Sequence, residues 1–551
     1  MDHQNELVEL DIDNVAHGGV TVARLDGRVV FVADAIPGER VLARIADDSK
    51  ASFWRADTVE VLTASPDRRP HVWAAAGLER APEERAGGAE FGHIALDRQR
   101  SLKSQVLTDA LRRFGRIERA VEVEPIGADA EADRRLELDG ERGESSHPDG
   151  SWRAAGGNLH RDGTAAGGAA ADETRARREP GTRWRTRVRL HVGPDGRIGP
   201  YAARSHTVIP VDDLPLATEA IEAEAREIAH ALRGDAQGAA AVEFVETAGG
   251  ELRVSLVPAE RSKTGGRGRD GARGAGRGAA GRDRRGGRGG RADATPSGQG
   301  GRRGRSGWAD DGLADDAPSA TSARGGRADS RSAGPGTTAP RASGTAPADA
   351  PTAIVERVGE REFRLAENGF WQVHRDAART LSKAVGELTR ADLFDPRAAN
   401  HDLYGGVGLL AAAIGDRFGP ATRITSVESD PTATDHAAEN LAEWIGARAV
   451  TGRVDRYLLE LEKLAGAEDR RRLEAATMVI DPPRSGAGKE VVGSLVRLDV
   501  AQVVYVACDP VAFARDVALF REGGYELDAV RAYDLFPHTH HLETIGVLVK
   551  A

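Results

Sequence analysis

Three stretches of the chain carry residue types whose spacing could do chemistry. The first is VVYVACDP, which holds Cys508, the only cysteine among 551 residues. A thiolate is a nucleophile, whereas a cysteine inside an apolar strand is a small inert hydrophobe. Asp509 and Pro510 end the strand directly after it, which favours a rim position over a core one. The second stretch is Asp481-Pro482-Pro483-Arg484, placed after the apolar run TMVI. Its Pro-Pro step holds the chain extended and presents backbone carbonyls. The third is Gly406-x-Gly408-x-x-Ala411, with Glu428 about 20 residues on. Glycines there let the backbone approach a cofactor, and an acid at that distance accepts hydrogen bonds from ribose hydroxyls. This pair alone fits a nicotinamide dehydrogenase as well as any other nucleoside-binding enzyme.

The elements that must position these residues follow from the pattern after residue 398. NHDLY, ITSVES, ARAVTGRV, ATMVID, QVVYVA and ETIGVLVK read as strands. LLAAAIGDRF, TATDHAAENLAEWIG and FARDVALFREGG read as helices between them. That alternation implies a doubly wound, mostly parallel sheet, in which ligands sit at the carboxyl ends of strands. Asp402, Glu428, Asp455, Asp481 and Cys508 all fall at such ends. Five polar residues on one rim carry more information than any single motif.

Upstream the pattern differs. Residues 1–66 contain five short β-rich runs punctuated by Gly, Asp and Pro, which suggests an OB-like barrel or another small β domain. Within 90–116 lies a helix with a basic side: Arg98, Arg100, Lys103, Arg112 and Arg113. Residues 67–258 read as a β-rich central region, with a hairpin turned by Pro194-Asp195-Gly196 and a low-complexity insert at about 131–179. Residues 259–350 form a Gly/Arg-rich insert, and 351–551 the α/β region. Neither insert has enough apolar residues to offset its ordering entropy, so both are expected to be disordered. The second is either an RNA-tracking tail or a passive linker.

Composition excludes several classes. One cysteine permits no internal disulfide and no cysteine-built zinc or iron–sulfur site. His538, His540 and His541 lack the spacing of a metal site, and no metal is expected. A net charge of -10 argues against a uniformly basic coat but leaves room for a local basic groove. No run of about 18 apolar residues could span a membrane, and the N-terminus lacks the marks of a signal peptide, so a cytoplasmic protein is expected.

The motifs together resemble the bacterial uracil-5 RNA methyltransferase family. GFWQVH (369–374), DLYGGVG (402–408), VES (427–429), DPPRSG (481–486), YVACDP (505–510) and LFPHTHHLET (535–544) carry the likeness. VAHGGVTVARLDGRVVFVADAIPGERV (15–41) resembles the TRAM barrel that family often bears, and GGAEFGHIALDRQRSLK (87–103) the segment after it. The resemblance covers most of the chain outside the two inserts.

It implies a Rossmann-like methyltransferase domain that binds S-adenosylmethionine through Gln372, Tyr404, Glu428 and Asp481, with Asp455 near the adenine. It implies that Cys508, helped by nearby positive charge such as Arg484 or the methyl donor, attacks carbon 6 of uracil, and that Glu543 removes the carbon 5 proton. Phe370 and Trp371 are placed near the target base, with core packing expected for at least one. Many relatives hold an iron–sulfur cluster on four cysteines. HVWAAAG (71–77) and DDLPLA (212–217) have none, so no cluster is expected and packing must replace it. The expected partner is RNA, with 23S rRNA favoured over tRNA, and the chain is expected to be a monomer.

Other classes fit less well. Cytosine-5 chemistry resembles a two-cysteine design. Amino-nitrogen methyltransferases resemble an Asp-Pro-Pro-aromatic loop, and Arg484 stands where the aromatic would be. A dehydrogenase leaves Cys508 and Glu543 without a role. A non-catalytic RNA-binding protein has no need of Cys508.

Overall fold

The computed structural model describes residues 3–127, 179–231, 238–259 and 352–551. The disorder expected at 131–179 and 259–350 lies outside those residues, apart from positions 179 and 259. Strands β1 (Leu7–Val15), β2 (Thr21–Leu25), β3 (Arg28–Ala33), β4 (Arg40–Asp47) and β5 (Phe53–Thr63) close into a barrel in the order β1-β2-β3-β5-β4. β3 and β5 pair in parallel and the other neighbours antiparallel. Alternate residues point inward, so Leu10, Ile12, Val30, Val32, Val41 and Ile45 fill the interior.

Helix α1 (Leu96–Ala110) follows. The arginines on it and just after it pair with nearby acids. Arg98 pairs with Asp67, Arg100 with Asp97, and Arg112 and Arg113 with Asp109. Lys103 points inward and its Nζ donates to Asp534 Oδ1 at 2.6 Å. A helix places residues four apart on one face, so Gln99 is buried beside it.

After the short β6 (Val123–Glu124), a central region pairs β7 (Arg187–Val192), β8 (Ile198–Gly199), β9 (Ala239–Glu246) and β10 (Leu252–Pro258) in the order β10-β9-β7-β8. Gly196 turns the β7–β8 hairpin at φ 76°, and Gly193 N donates to Arg197 O at 2.8 Å. Helix α2 (Glu219–Ala231) covers this sheet. The two cysteine-free segments meet here. Trp73 Nε1 donates to Asp213 Oδ1 at 3.0 Å, and Trp73, Ala76, Leu214 and Leu216 share one core.

A hairpin, β11 (Ala353–Val358) and β12 (Arg361–Ala366), leads into α3 (Ala377–Leu388). Then come β13 (Asn400–Leu403), α4 (Leu409–Phe418), β14 (Ile424–Glu428), α5 (Pro431–Asn440), β15 (Ala447–Thr451), α6 (Val454–Leu464) and α7 (Ala467–Glu474). The chain ends with β16 (Thr477–Ile480), α8 (Gly488–Arg497), β17 (Gln502–Ala507), α9 (Pro510–Glu522), β18 (Tyr525–Tyr533) and β19 (Glu543–Lys550). The sheet order is β15-β14-β13-β16-β17-β19-β18-β6. Its first five strands are parallel, as the alternation implies. β19 then enters antiparallel between β17 and β18, so the sheet is mixed. Every residue of β17 is buried. Val503 and Tyr505 join the core on one face, and Val504 and Val506 the core on the other. Full burial of each such side chain contributes about 1.5–3 kcal/mol, which anchors the strand that carries Cys508.

Candidate active site

The glycine loop follows from β13. Tyr404, Gly406 and Gly408 all take positive φ, at 65°, 52° and 90°, before α4 begins. For a tyrosine that backbone is strained by roughly 1–3 kcal/mol, and such strain concentrates at functional loops. Tyr404 N and Gly405 N both donate to Val427 O, at 2.9 and 3.1 Å, which ties the loop to β14. A Cβ on Gly405 would stand 2.1 Å from Ser426 Oγ, so only glycine fits there. A Cβ on Gly406 would meet nothing, because that residue faces the open cleft.

Asp402 departs from the expected rim. It is fully buried beneath the loop, and its Oδ2 accepts from Ala411 N at 3.0 Å. Burial pushes its carboxyl up to about 7. It supports the loop from below and does not line the cleft. Glu428 does line it. Its Oε2 accepts from Gly406 N at 3.2 Å, while Oε1 accepts from Asp430 N at 2.9 Å. One carboxylate therefore bridges two loops. Asp455 opens α6, lines the cleft and is held by Arg453 Nη2 at 2.8 Å, which keeps its carboxyl below the ordinary range.

A cleft of about 1050 Å³ collects the other residues. Gln372, Tyr404, Glu428, Asp481, Cys508 and Glu543 all line it, with Arg484 and Phe370. Trp371 turns away into the core against Phe363, with ring centroids 5.5 Å apart, while Phe370 stays 54% exposed in the cleft. Burial raises the Asp481 carboxyl to about 7. It also raises the Cys508 thiol, and the neighbouring carboxyls of Glu543 and Asp481 raise it further while Arg484 opposes them. Glu543 is pushed well above the ordinary range by burial and then by Asp481.

Cys508 follows β17 and Glu543 starts β19. Antiparallel pairing of Ala507 with Thr544 sets the two side by side on one rim. The barrel reaches the same place. His17 Nε2 lies 2.9 Å from Asp509 Oδ2, and Asp509 Oδ1 caps α9 by accepting from Val511 N and Ala512 N. A small cavity of about 20 Å³ on that side is walled by His17, Gly19, Lys103, Arg484, Cys508 and His541.

Several lining residues carried no signal in the sequence. Arg185 reaches the cleft through long-range packing and sits in no quoted motif, while Thr539 and His541 lie in LFPHTHHLET, which does not mark them as lining residues. Among the described residues, no group of acids, histidines and cysteine could hold a metal ion, and no helix is long and apolar enough to cross a membrane.

A Rossmann-like sheet with a glycine loop, an acid after the second strand and a second acid after the fourth defines a nucleoside-cofactor site at the carboxyl ends of the strands. The donor set suits S-adenosylmethionine: an open glycine cradle, a carboxylate for ribose, and buried acids for a cationic sulfonium. Residues 450–551 match the family model described as tRNA (Uracil-5-)-methyltransferase. An uncharacterized RNA methyltransferase of Streptomyces avermitilis is 31% identical over 552 residues, covering 99% of both chains. Another from Streptomyces coelicolor is 31% identical over 553 residues, covering 99% of this chain and 93% of its own. The fold is similar to that of the Pyrococcus abyssi tRNA (uracil-54, C5)-methyltransferase in complex with S-adenosyl-L-homocysteine, with a TM-score of 0.54 at 17% identity over 98% of this chain and 99% of that one. The chain belongs to the uracil-5 RNA methyltransferase family.

Proposed function

We propose that the enzyme methylates carbon 5 of a uridine in RNA through a covalent bond between Cys508 and carbon 6. The observation that carries this reading is the shared rim: Cys508 and Glu543 open onto the cleft that also holds the glycine loop. S-adenosylmethionine supplies the methyl group as an electrophilic sulfonium. Gln372, Tyr404, Glu428 and Asp481 hold it, with Asp455 beside the adenine.

Carbon 5 of uracil is a weak nucleophile. Addition of the Cys508 thiolate to carbon 6 makes the ring an enolate, and carbon 5 then takes the methyl group. Glu543 removes the carbon 5 proton. The carbon 6–sulfur bond breaks, the double bond returns and the thiolate leaves. A carboxyl raised by burial is well matched to that work. Phe370 is the exposed aromatic placed to stack on a base drawn out of the RNA.

Residues 1–66 serve as a TRAM-like RNA-gripping barrel, 67–258 as a central RNA-binding domain and 351–551 as the catalytic domain. We favour 23S rRNA as substrate and a monomer acting in the cytoplasm. The tRNA reading has its own support, because the family model that matches residues 450–551 and the fold neighbour are both named for tRNA enzymes. The test is methyl transfer to total RNA from a strain lacking the enzyme, followed by nucleoside analysis and site mapping. The expected product is 5-methyluridine in 23S rRNA. Methylation confined to tRNA transfers the assignment to that branch, and any other methylated base overturns it.

A further inference from the structure

The step assigned to Glu543 depends on where β19 starts, which pairing with β17 and β18 sets and which the segment 534–542 connects to β18. It leaves β18 at Asp534 and crosses to Glu543 without regular secondary structure. Its geometry is demanding. His538 has φ 65°, in the left-handed region that is uncommon outside glycine. Something must hold it there.

Two side chains on one turn of α1 do so. Gln99 grips His538 twice: His538 N donates to Gln99 Oε1 at 2.7 Å, and Gln99 Nε2 lies 3.1 Å from His538 Nδ1. Gln99 Nε2 also lies 2.8 Å from Ile94 O and 3.1 Å from Phe91 O, so its two protons are shared among three acceptors. His538 Nε2 lies 2.9 Å from Pro180 O and donates to it. One turn later, Lys103 Nζ donates to Asp534 Oδ1 at 2.6 Å and to Phe536 O at 3.0 Å. Both side chains are fully buried, where an unpaired partner would cost several kcal/mol.

Further along the same face, α1 packs against α9, the helix that starts just after Cys508. Leu107 and Ala110 share a core with Phe513, Ala514 and Val517. One rigid helix therefore touches the element after Cys508 and the segment before Glu543. We propose that Gln99 and Lys103 are positioning residues for proton abstraction, setting Glu543 against carbon 5 of the bound ring. This rests on the reading of Glu543 as the base, and the two can fail separately.

The experiment uses the full chain, an RNA substrate and S-adenosylmethionine with a labelled methyl group. It follows turnover, the KM for RNA and the fraction of enzyme left in a methylated, denaturant-resistant complex with RNA. Glu543→Gln is the reference: loss of the base should trap the methylated adduct. Lys103→Met and Gln99→Leu should lower kcat by about 10–100-fold, as small misplacements of reacting groups do. They should leave the KM for RNA unchanged and raise the trapped fraction. Asp534→Asn removes the ionic partner from the other side and carries the same test if Lys103→Met does not fold. A fall in kcat without a rise in trapped adduct makes the clamp merely structural and overturns the inference. So does a kcat within about two-fold of wild type. Absence of trapped adduct in Glu543→Gln overturns the base assignment instead.

Discussion

Cys508 and Glu543 are neighbours because β19 runs antiparallel to β17. Ala507 pairs with Thr544, so the end of one strand meets the start of the other. In an all-parallel sheet the start of the last strand would lie at the opposite edge, far from the ligand rim. The reversal brings a residue that begins a strand to the place where the other strands end.

If Cys508 is the nucleophile, Cys508→Ala should abolish methyl transfer and all covalent RNA complex. The cofactor loop is built from other residues, so affinity for S-adenosylmethionine by calorimetry should stay within about three-fold of wild type, well under 1 kcal/mol. Residual methylation at a tenth of the normal rate or more would sink the covalent reading, since removal of an attacking group should cost far more than about 1.4 kcal/mol.

The Cys508 thiol is raised by burial and by the Glu543 and Asp481 carboxyls. At neutral pH its thiolate fraction is therefore small, and each rise in pH increases it. Log kcat/KM should climb with a slope of about one between roughly pH 6 and 9, provided one deprotonation limits the rate. A flat profile over that range would show that the free thiol does not limit.

Gly405 offers a local test of the cofactor loop. A methyl group there would stand 2.1 Å from Ser426 Oγ and 2.9 Å from Asp402 Oδ2. Both are buried, so the loop itself must shift. Gly405→Ala should weaken S-adenosylmethionine binding by at least about ten-fold, or 1.4 kcal/mol. Gly406→Ala must hold an alanine at φ 52° and points its methyl group into the cleft where the cofactor would sit, so it should weaken binding by at least about 1 kcal/mol. Calorimetric titration of both variants checks these losses.

The parts of this site visible in the sequence are the locally determined ones. Gly406, Gly408 and Glu428 announce a tight strand-to-helix turn and the end of the next strand. Pro510 marks where β17 stops and so places Cys508 at a strand end. Lys103 was readable as one of a helix's basic charges, but not as the buried partner of Asp534, because charge type does not reveal which face packs. Asp402 shares the strand-end pattern of the rim acids, yet its carboxyl bonds back to Ala411. GFWQVH gives no means of separating Phe370 from Trp371, since both are aromatic and only long-range packing sends one of them into the core. The antiparallel entry of β19 depends on long-range pairing that no local run encodes.

If Asp481 faces the cofactor's sulfonium, it links cofactor charge to pH. Burial raises its carboxyl to about 7, so below that pH it is largely neutral and above it largely ionised. A cationic sulfonium favours the ionised form and drives the proton off, whereas the neutral thioether of S-adenosylhomocysteine does not. Affinity for S-adenosylmethionine should thus rise from pH 6 to pH 8 and then level. The product's affinity should change much less, and the ratio of the two should widen by up to about ten-fold. Groups common to both molecules, such as the amino acid moiety, cancel in that ratio. Asp481→Asn should flatten the ratio across the whole range. A ratio independent of pH in the wild type would mean that Asp481 does not face the sulfonium.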